Sequence, residues 1–224
     1  MWIKICGIRD PDSAIAVCAC QPQAIGLNFY PESPRFVAPS LARDIVDQLP
    51  VAIEAVAVFV NAEPNEISEC CREYNIRTAQ LHGDESPEHV DRLHRLHPEL
   101  RLIRAFRVGS DGTDAVATWI AECHQRQVPL RACLIDSRSD GAFGGTGKTA
   151  PWNIVSNQYR SGEWPPLLLA GGLTPVNVGT AIRAVRPWGV DVASGVESSP
   201  GVKDAVLVQA FIRAARRAEP SVGG

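Results

Sequence analysis

No stretch of this sequence approaches the roughly 20 consecutive apolar residues that cross a bilayer, although hydrophobic residues fill 45% of its 224 positions. A membrane-bound role is therefore not expected. The opening Met1-Trp2-Ile3-Lys4-Ile5-Cys6-Gly7 has no basic segment and carries a lysine inside its only apolar run, which argues against a secretory leader and for the cytoplasm. The seven cysteines include no C-x-x-C pair, and an odd number in a long chain is a poor disulfide framework, so reduced thiols are expected. Neither H-E-x-x-H nor a Cys/His ligand block occurs, and His89, His94 and His97 fall in a polar helical stretch, so no metal is expected. A formal net charge of −3 leaves no basic footprint for nucleic acid. Low-complexity linkers are missing too: residues 1–217 read as one domain, with a disordered tail at 218–224.

What is present is an alternation. Eight short β-rich runs (Trp2–Cys6, Ala24–Phe29, Ile53–Val60, Thr78–Leu81, Arg101–Phe106, Arg131–Asp136, Leu167–Ala170, Asp191–Ala193) are separated by stretches of helical period. Helix-start signals precede those stretches: Asp10-Pro11, Pro39-Ser40, Pro64-Asn65, Ser86-Pro87, Thr113, Pro151, Thr174-Pro175 and the Pro200-Gly201 turn before Lys203. A doubly wound open sheet would have fewer strands and a Gly-rich first turn, which Cys6-Gly7-Ile8-Arg9 is not. The expected fold is α/β: a (β/α)8 TIM barrel, with a parallel eight-stranded barrel inside outer helices.

Strand period then sorts the side chains. Trp2, Lys4 and Cys6 share the inner face of the first strand, with Cys6 at the C-terminal rim where barrel active sites are built. Asp136 ends the sixth strand at the same rim, and Gln80 and His82 form a polar pair on the fourth, so that Lys4, Gln80 and His82 are candidates to bind substrate. The alternatives for single residues are ordinary: Cys6 as core filler, Asp136 as a cap, His82 as a support.

Three Gly-rich segments follow the last three strands: Gly144-Gly145-Thr146-Gly147-Lys148, Ala170-Gly171-Gly172-Leu173 and Ser194-Gly195-Val196-Glu197. Loops in these places commonly hold a phosphate on backbone N–H groups, with Gly145, Gly171, Gly172, Ser194 and Gly195 as candidates. Two nucleotide motifs are only imitated. Gly147-Lys148-Thr149 ends like a P-loop, but Ala142 stands where that motif needs glycine; Gly145-x-Gly147-x-x-Ala150 lacks the acidic residue at the end of the next strand. No ATP, NAD or other cofactor is expected.

Taken together, Lys4-Ile5-Cys6-Gly7, Ser33-Pro34-Arg35, Gln80-Leu81-His82-Gly83, Asp136, the three Gly-rich segments with Asn177-Val178, and Gly189-Val190-Asp191 resemble phosphoribosylanthranilate isomerase over nearly the whole chain. The resemblance implies a cofactor-free Amadori rearrangement of a small-molecule substrate, N-(5-phosphoribosyl)anthranilate, in tryptophan biosynthesis. It implies Asp136 as the acid that opens the ribose ring, Cys6 as the base that removes the C2′ proton, Arg35 as the ligand of the anthranilate carboxylate, and Asp191 beside the ribose. The base must be ionised, and Lys4 is the nearest cation in sequence able to depress the Cys6 pKa. A related histidine-pathway isomerase would carry aspartate where Cys6 stands, and a non-catalytic barrel binding a phosphorylated ligand would not need the Cys6/Asp136 pair. No feature speaks for or against self-association or a pathway partner.

Overall fold

Five residues of extended chain, β1 (Trp2–Cys6), start a parallel sheet that closes on itself. The computed structural model describes residues 1–136 and 152–219. The remaining strands are β2 (Ala24–Asn28), β3 (Glu54–Phe59), β4 (Thr78–Leu81), β5 (Arg101–Arg107), β6 (Ala132–Asp136), β7 (Leu167–Ala170) and β8 (Gly189–Val192). They lie in sequence order, and β8 pairs with β1 through Trp2↔Gly189, Ile3↔Val190, Lys4↔Asp191 and Ile5↔Val192.

The expected eight strands are present, with ends shifted by up to two residues. The largest shift is in β8, expected at Asp191–Ala193. Glycine has low strand propensity, yet Gly189 belongs to the ladder because the backbones crowd there: a Cβ would lie 2.6 Å from the Trp2 carbonyl oxygen.

The helices are α1 (Pro11–Ala19), α2 (Pro39–Asp47), α3 (Pro64–Glu73), α4 (Pro87–Leu96), α5 (Asp114–Gln125), α6 (Trp152–Gln158), α7 (Val178–Val185) and α8 (Ala205–Ala218). Proline at the first turn starts α1 to α4, and Asp10 and Ser86 cap α1 and α4 by accepting from the N–H of Ser13 and His89. Pro151 lies outside the described residues. Two starts differ from expectation. Thr174 and Asn177 bond reciprocally, side chain to backbone N–H, closing a turn before α7 begins at Val178. Pro200-Gly201 is the tip of a small antiparallel hairpin, β9 (Glu197–Ser199) with β10 (Val202–Lys203), and Asp204 caps α8 instead. Ala218, where the tail was expected to begin, is the buried last residue of α8.

Alternation divides the core in two. Ile3 and Ile5 point outward into the layer between strands and helices, while Trp2, Val56, Ile103, Leu134 and Leu168 fill the barrel. Each buried aliphatic side chain contributes about 1.5–3 kcal/mol. At the N-terminal mouth Glu54 pairs with Arg101 and Arg131, at 2.7 and 2.8 Å, and accepts from the Thr78 hydroxyl.

Candidate active site

The register of β1 with its two neighbours positions the first functional group. Lys4 stands beside Asp191, and its ammonium donates to Asp191 Oδ1 at 2.9 Å with the lysine wholly buried. Burial opposes the Lys4 charge, but Asp191 and Cys6 outweigh it and hold the ammonium above the ordinary lysine range. On the other side Cys6 stands beside Gly26. A side chain at Gly26 would force Cys6 or Lys4 to shift: its Cβ would fall 2.7 Å from Cys6 Sγ and 3.0 Å from Lys4 Cε.

The expectation that Lys4 depresses the Cys6 pKa is corrected by these contacts. Burial pushes the thiol up; Lys4 and Lys203 pull it down, Asp191 pushes it up, and the net direction is up. The physical reason is that burial of the thiol outweighs the pull of both lysines, with the Asp191 carboxylate adding to the upward push.

A cleft of about 920 Å³ opens above this layer. Cys6, Asp136, Asp191, His82 and Arg35 all reach it, as do Gly171, Gly172, Ser194 and Gly195 from the loops after β7 and β8. Asp136 Oδ1 is buried and has no hydrogen-bond partner among the described residues. Gly195 brings the two loops together, since a Cβ there would overlap the Leu173 carbonyl oxygen at 1.8 Å. Gly145 lies outside the described residues.

Two candidates expected to bind substrate do not reach the cleft. Lys4 and Gln80 are fully buried one layer below the rim. Gln80 Nε2 donates to His82 Nδ1 at 2.8 Å and so fixes the imidazole that does line the cleft. Burial lowers the His82 pKa, which keeps the ring neutral, with its proton on Nε2.

Arg35 is displayed by a folded loop. The Ser33 hydroxyl accepts from Asn28 Nδ2 and from the Arg35 N–H, both at 3.1 Å, and Arg9 holds the Pro34 carbonyl at 2.9 Å. Its guanidinium forks onto Glu197 at 2.8 and 2.7 Å, and Glu197 also takes the ammonium of Lys203. Sequence reasoning quoted Glu197 and Lys203 without assigning them a role, and it passed over Gly26. Of these only Gly26 was open to detection, as the inward residue on the strand following Cys6. Among the described residues, no group of three or more His, Cys, Asp or Glu could hold a metal ion.

Comparison with known proteins agrees with this geometry. The family model described as N-(5'phosphoribosyl)anthranilate (PRA) isomerase matches residues 3–214. The N-(5'-phosphoribosyl)anthranilate isomerase of Trichlorobacter lovleyi is 41% identical over 217 residues, covering 96% of this chain and 98% of the relative. The crystal structure of phosphoribosyl anthranilate isomerase from Thermotoga maritima superposes with a TM-score of 0.80 at 35% identity, covering 97% of this chain and 99% of that one. Another structure of such an isomerase, in complex with reduced 1-(o-carboxyphenylamino)-1-deoxyribulose 5-phosphate, gives 0.76 at 32% identity, covering 97% and 99%. On its own barrel geometry and on these matches, the chain belongs to the N-(5'-phosphoribosyl)anthranilate isomerase family.

Proposed function

We propose that this chain converts N-(5-phosphoribosyl)anthranilate into 1-(2-carboxyphenylamino)-1-deoxyribulose 5-phosphate in tryptophan biosynthesis, with Asp136 as general acid and Cys6 as general base. The observation that carries these roles is that a thiol and a carboxyl group, from the ends of β1 and β6, line one cleft.

As general acid, Asp136 gives a proton to the ribose ring oxygen as the C1′–O bond breaks. The lone pair of the anilino nitrogen forms the C1′=N bond. Cys6, as thiolate, then removes the proton on C2′; the electron pair left behind forms C1′=C2′, and nitrogen recovers its own. The enolamine loses its hydroxyl proton, gains one at C1′ and becomes the ketone. Hydrogen only changes place within the substrate, so the stoichiometry requires no redox partner. The iminium cation acidifies C2′ and adds positive charge near the sulfur, so ring opening precedes proton removal. Lys4 supplies the fixed charge beneath the thiolate and acts through that field rather than by touching the substrate.

Arg35 takes the anthranilate carboxylate, and Asp191 lies beside the ribose. The backbone N–H groups around Gly171, Gly172, Ser194 and Gly195 take the phosphate. Loss of phosphoribosylanthranilate fluorescence on adding the protein tests the reading. Bound but unchanged substrate would replace it with that of a non-catalytic binding barrel.

A further inference from the structure

Arg35 faces the cleft as one part of a larger charged group. Its Nε and Nη2 bond Glu197 Oε1 and Oε2, and the Lys203 ammonium takes the same Oε1 at 2.5 Å. Lys203 also donates to the Ala193 carbonyl at 3.1 Å, just past β8. The side chains of Glu197 and Lys203 are 4% and 2% exposed, whereas Arg35 keeps 22%. One carboxylate shared by two cations leaves one positive charge in surplus, and Arg35 is the member that lines the cleft. Burying an ammonium is costly unless it is paired; burial pulls the Lys203 pKa down, and Glu197 opposes that pull by hydrogen bond and charge.

The hairpin carrying both residues is fitted to the loop that carries Arg35. At Gly201, its tip, a Cβ would lie 2.8 Å from the Pro34 carbonyl oxygen and 3.0 Å from Arg9 Nη1. At Gly7 a Cβ would lie 2.6 Å from Arg35 Cδ, so the arginine stem rests on the loop leaving β1. The charged groups acting on Cys6 are therefore Lys4 from β1, Asp191 from β8, Lys203 from β10 and Arg35 from the loop after β2.

We infer that Glu197 and Lys203 are positioning residues for the isomerisation: Glu197 aims the guanidinium of Arg35 into the cleft, and Lys203 neutralises Glu197 so that Arg35 keeps its charge for the substrate carboxylate. The inference rests on the assignment of Arg35 and Cys6 made above. Without Lys203 the Arg35–Glu197 pair is electrically neutral, and its attraction for a carboxylate falls to that of a dipole. The Cys6 thiolate loses a second cation at the same time.

Two variants test this. Lys203→Gln keeps a donor for Glu197 and Ala193 and removes the charge; Lys203→Met removes both. In each, KM for phosphoribosylanthranilate is expected to rise about tenfold with a smaller change in kcat. The reduced product analogue, which bears the carboxylate, binds about tenfold more weakly, while competitive inhibition by inorganic phosphate is unchanged. The pH midpoint for iodoacetamide labelling of the Cys6 peptide, followed by mass spectrometry, moves upward. Equal weakening of analogue and phosphate, or no change in a folded Lys203→Gln protein, overturns the inference. Failure of both variants to fold also overturns it, reducing Lys203 to a folding residue. Binding and labelling need no turnover, so an inactive parent protein would refute the isomerase reading while these measurements still decide the role of Lys203.

Discussion

At the N-terminal mouth of the barrel Glu54 is met by Arg101, Arg131 and the Thr78 hydroxyl, and Trp2 stacks on Trp188 with ring centroids 5.2 Å apart. Arg131 Nε is buried there without a partner among the described residues, whereas at the C-terminal mouth the unmatched groups line or underlie the cleft. Among the described residues Asp136 Oδ1 and Gln80 Oε1 are buried without partners, and the Cys6 thiol sits between a lysine and an aspartate already paired with each other. Both mouths belong to the same eight strands, so strand propensity and packing do not account for the difference. The N-terminal mouth stabilises; the C-terminal mouth keeps donors, acceptors and a proton available for a ligand.

Substitutions at the two mouths should therefore separate cleanly. The largest effects belong to Cys6→Ser and Asp136→Asn, each expected to lower kcat by about a hundred- to ten-thousand-fold with little change in thermal midpoint. Near-normal turnover in either would remove it from the mechanism. Lys4→Met should damage both properties: stranding buried Asp191 costs about 3–5 kcal/mol in denaturant unfolding, and the Cys6 labelling midpoint rises because a cation has gone.

Gly26→Ala is next, since the added methyl must displace Cys6 Sγ or Lys4. About a tenfold loss of kcat with about 1–3 kcal/mol of destabilisation is expected. Glu54→Gln at the opposite mouth should cost about 1–2 kcal/mol and leave kcat and KM untouched. A changed KM there would mean that the mouths are coupled.

The smallest effect is one of pH. The folded His82 pKa lies below its unfolded value, so the unfolded chain binds the proton first as pH falls. Stability is then complete above the ordinary histidine range and declines as pH drops through it toward the folded value. Replacing His82 with glutamine should flatten that slope in unfolding measured across pH.

The Cys6/Asp136 pair was legible because it depends on local rules. A period of two and a position at a strand end place both residues inward and at the rim, whatever the rest of the chain does. The start of α4 was legible for the same reason, because Ser86 and Pro87 act within one turn. The start of α8 was not: Asp204 is a good cap, but the hairpin before it forms only through pairing of β9 with β10.

The sequence alone thus determined the order of strands, the inner and outer faces, and the placement of Cys6 and Asp136 at one rim. Tertiary structure decided the electrostatics around them. Lys4 finds Asp191 across 187 positions of chain, and Arg35 finds Glu197 across 162, because barrel closure sets β8 beside β1 and the hairpin after β8 against the Pro34 loop. Whether a buried charge is free or already matched depends on distances of about 3 Å between such remote residues. Local periodicity carries no information about those distances or about how deeply the thiol is buried, and burial above all makes the Cys6 pKa rise where a fall was expected.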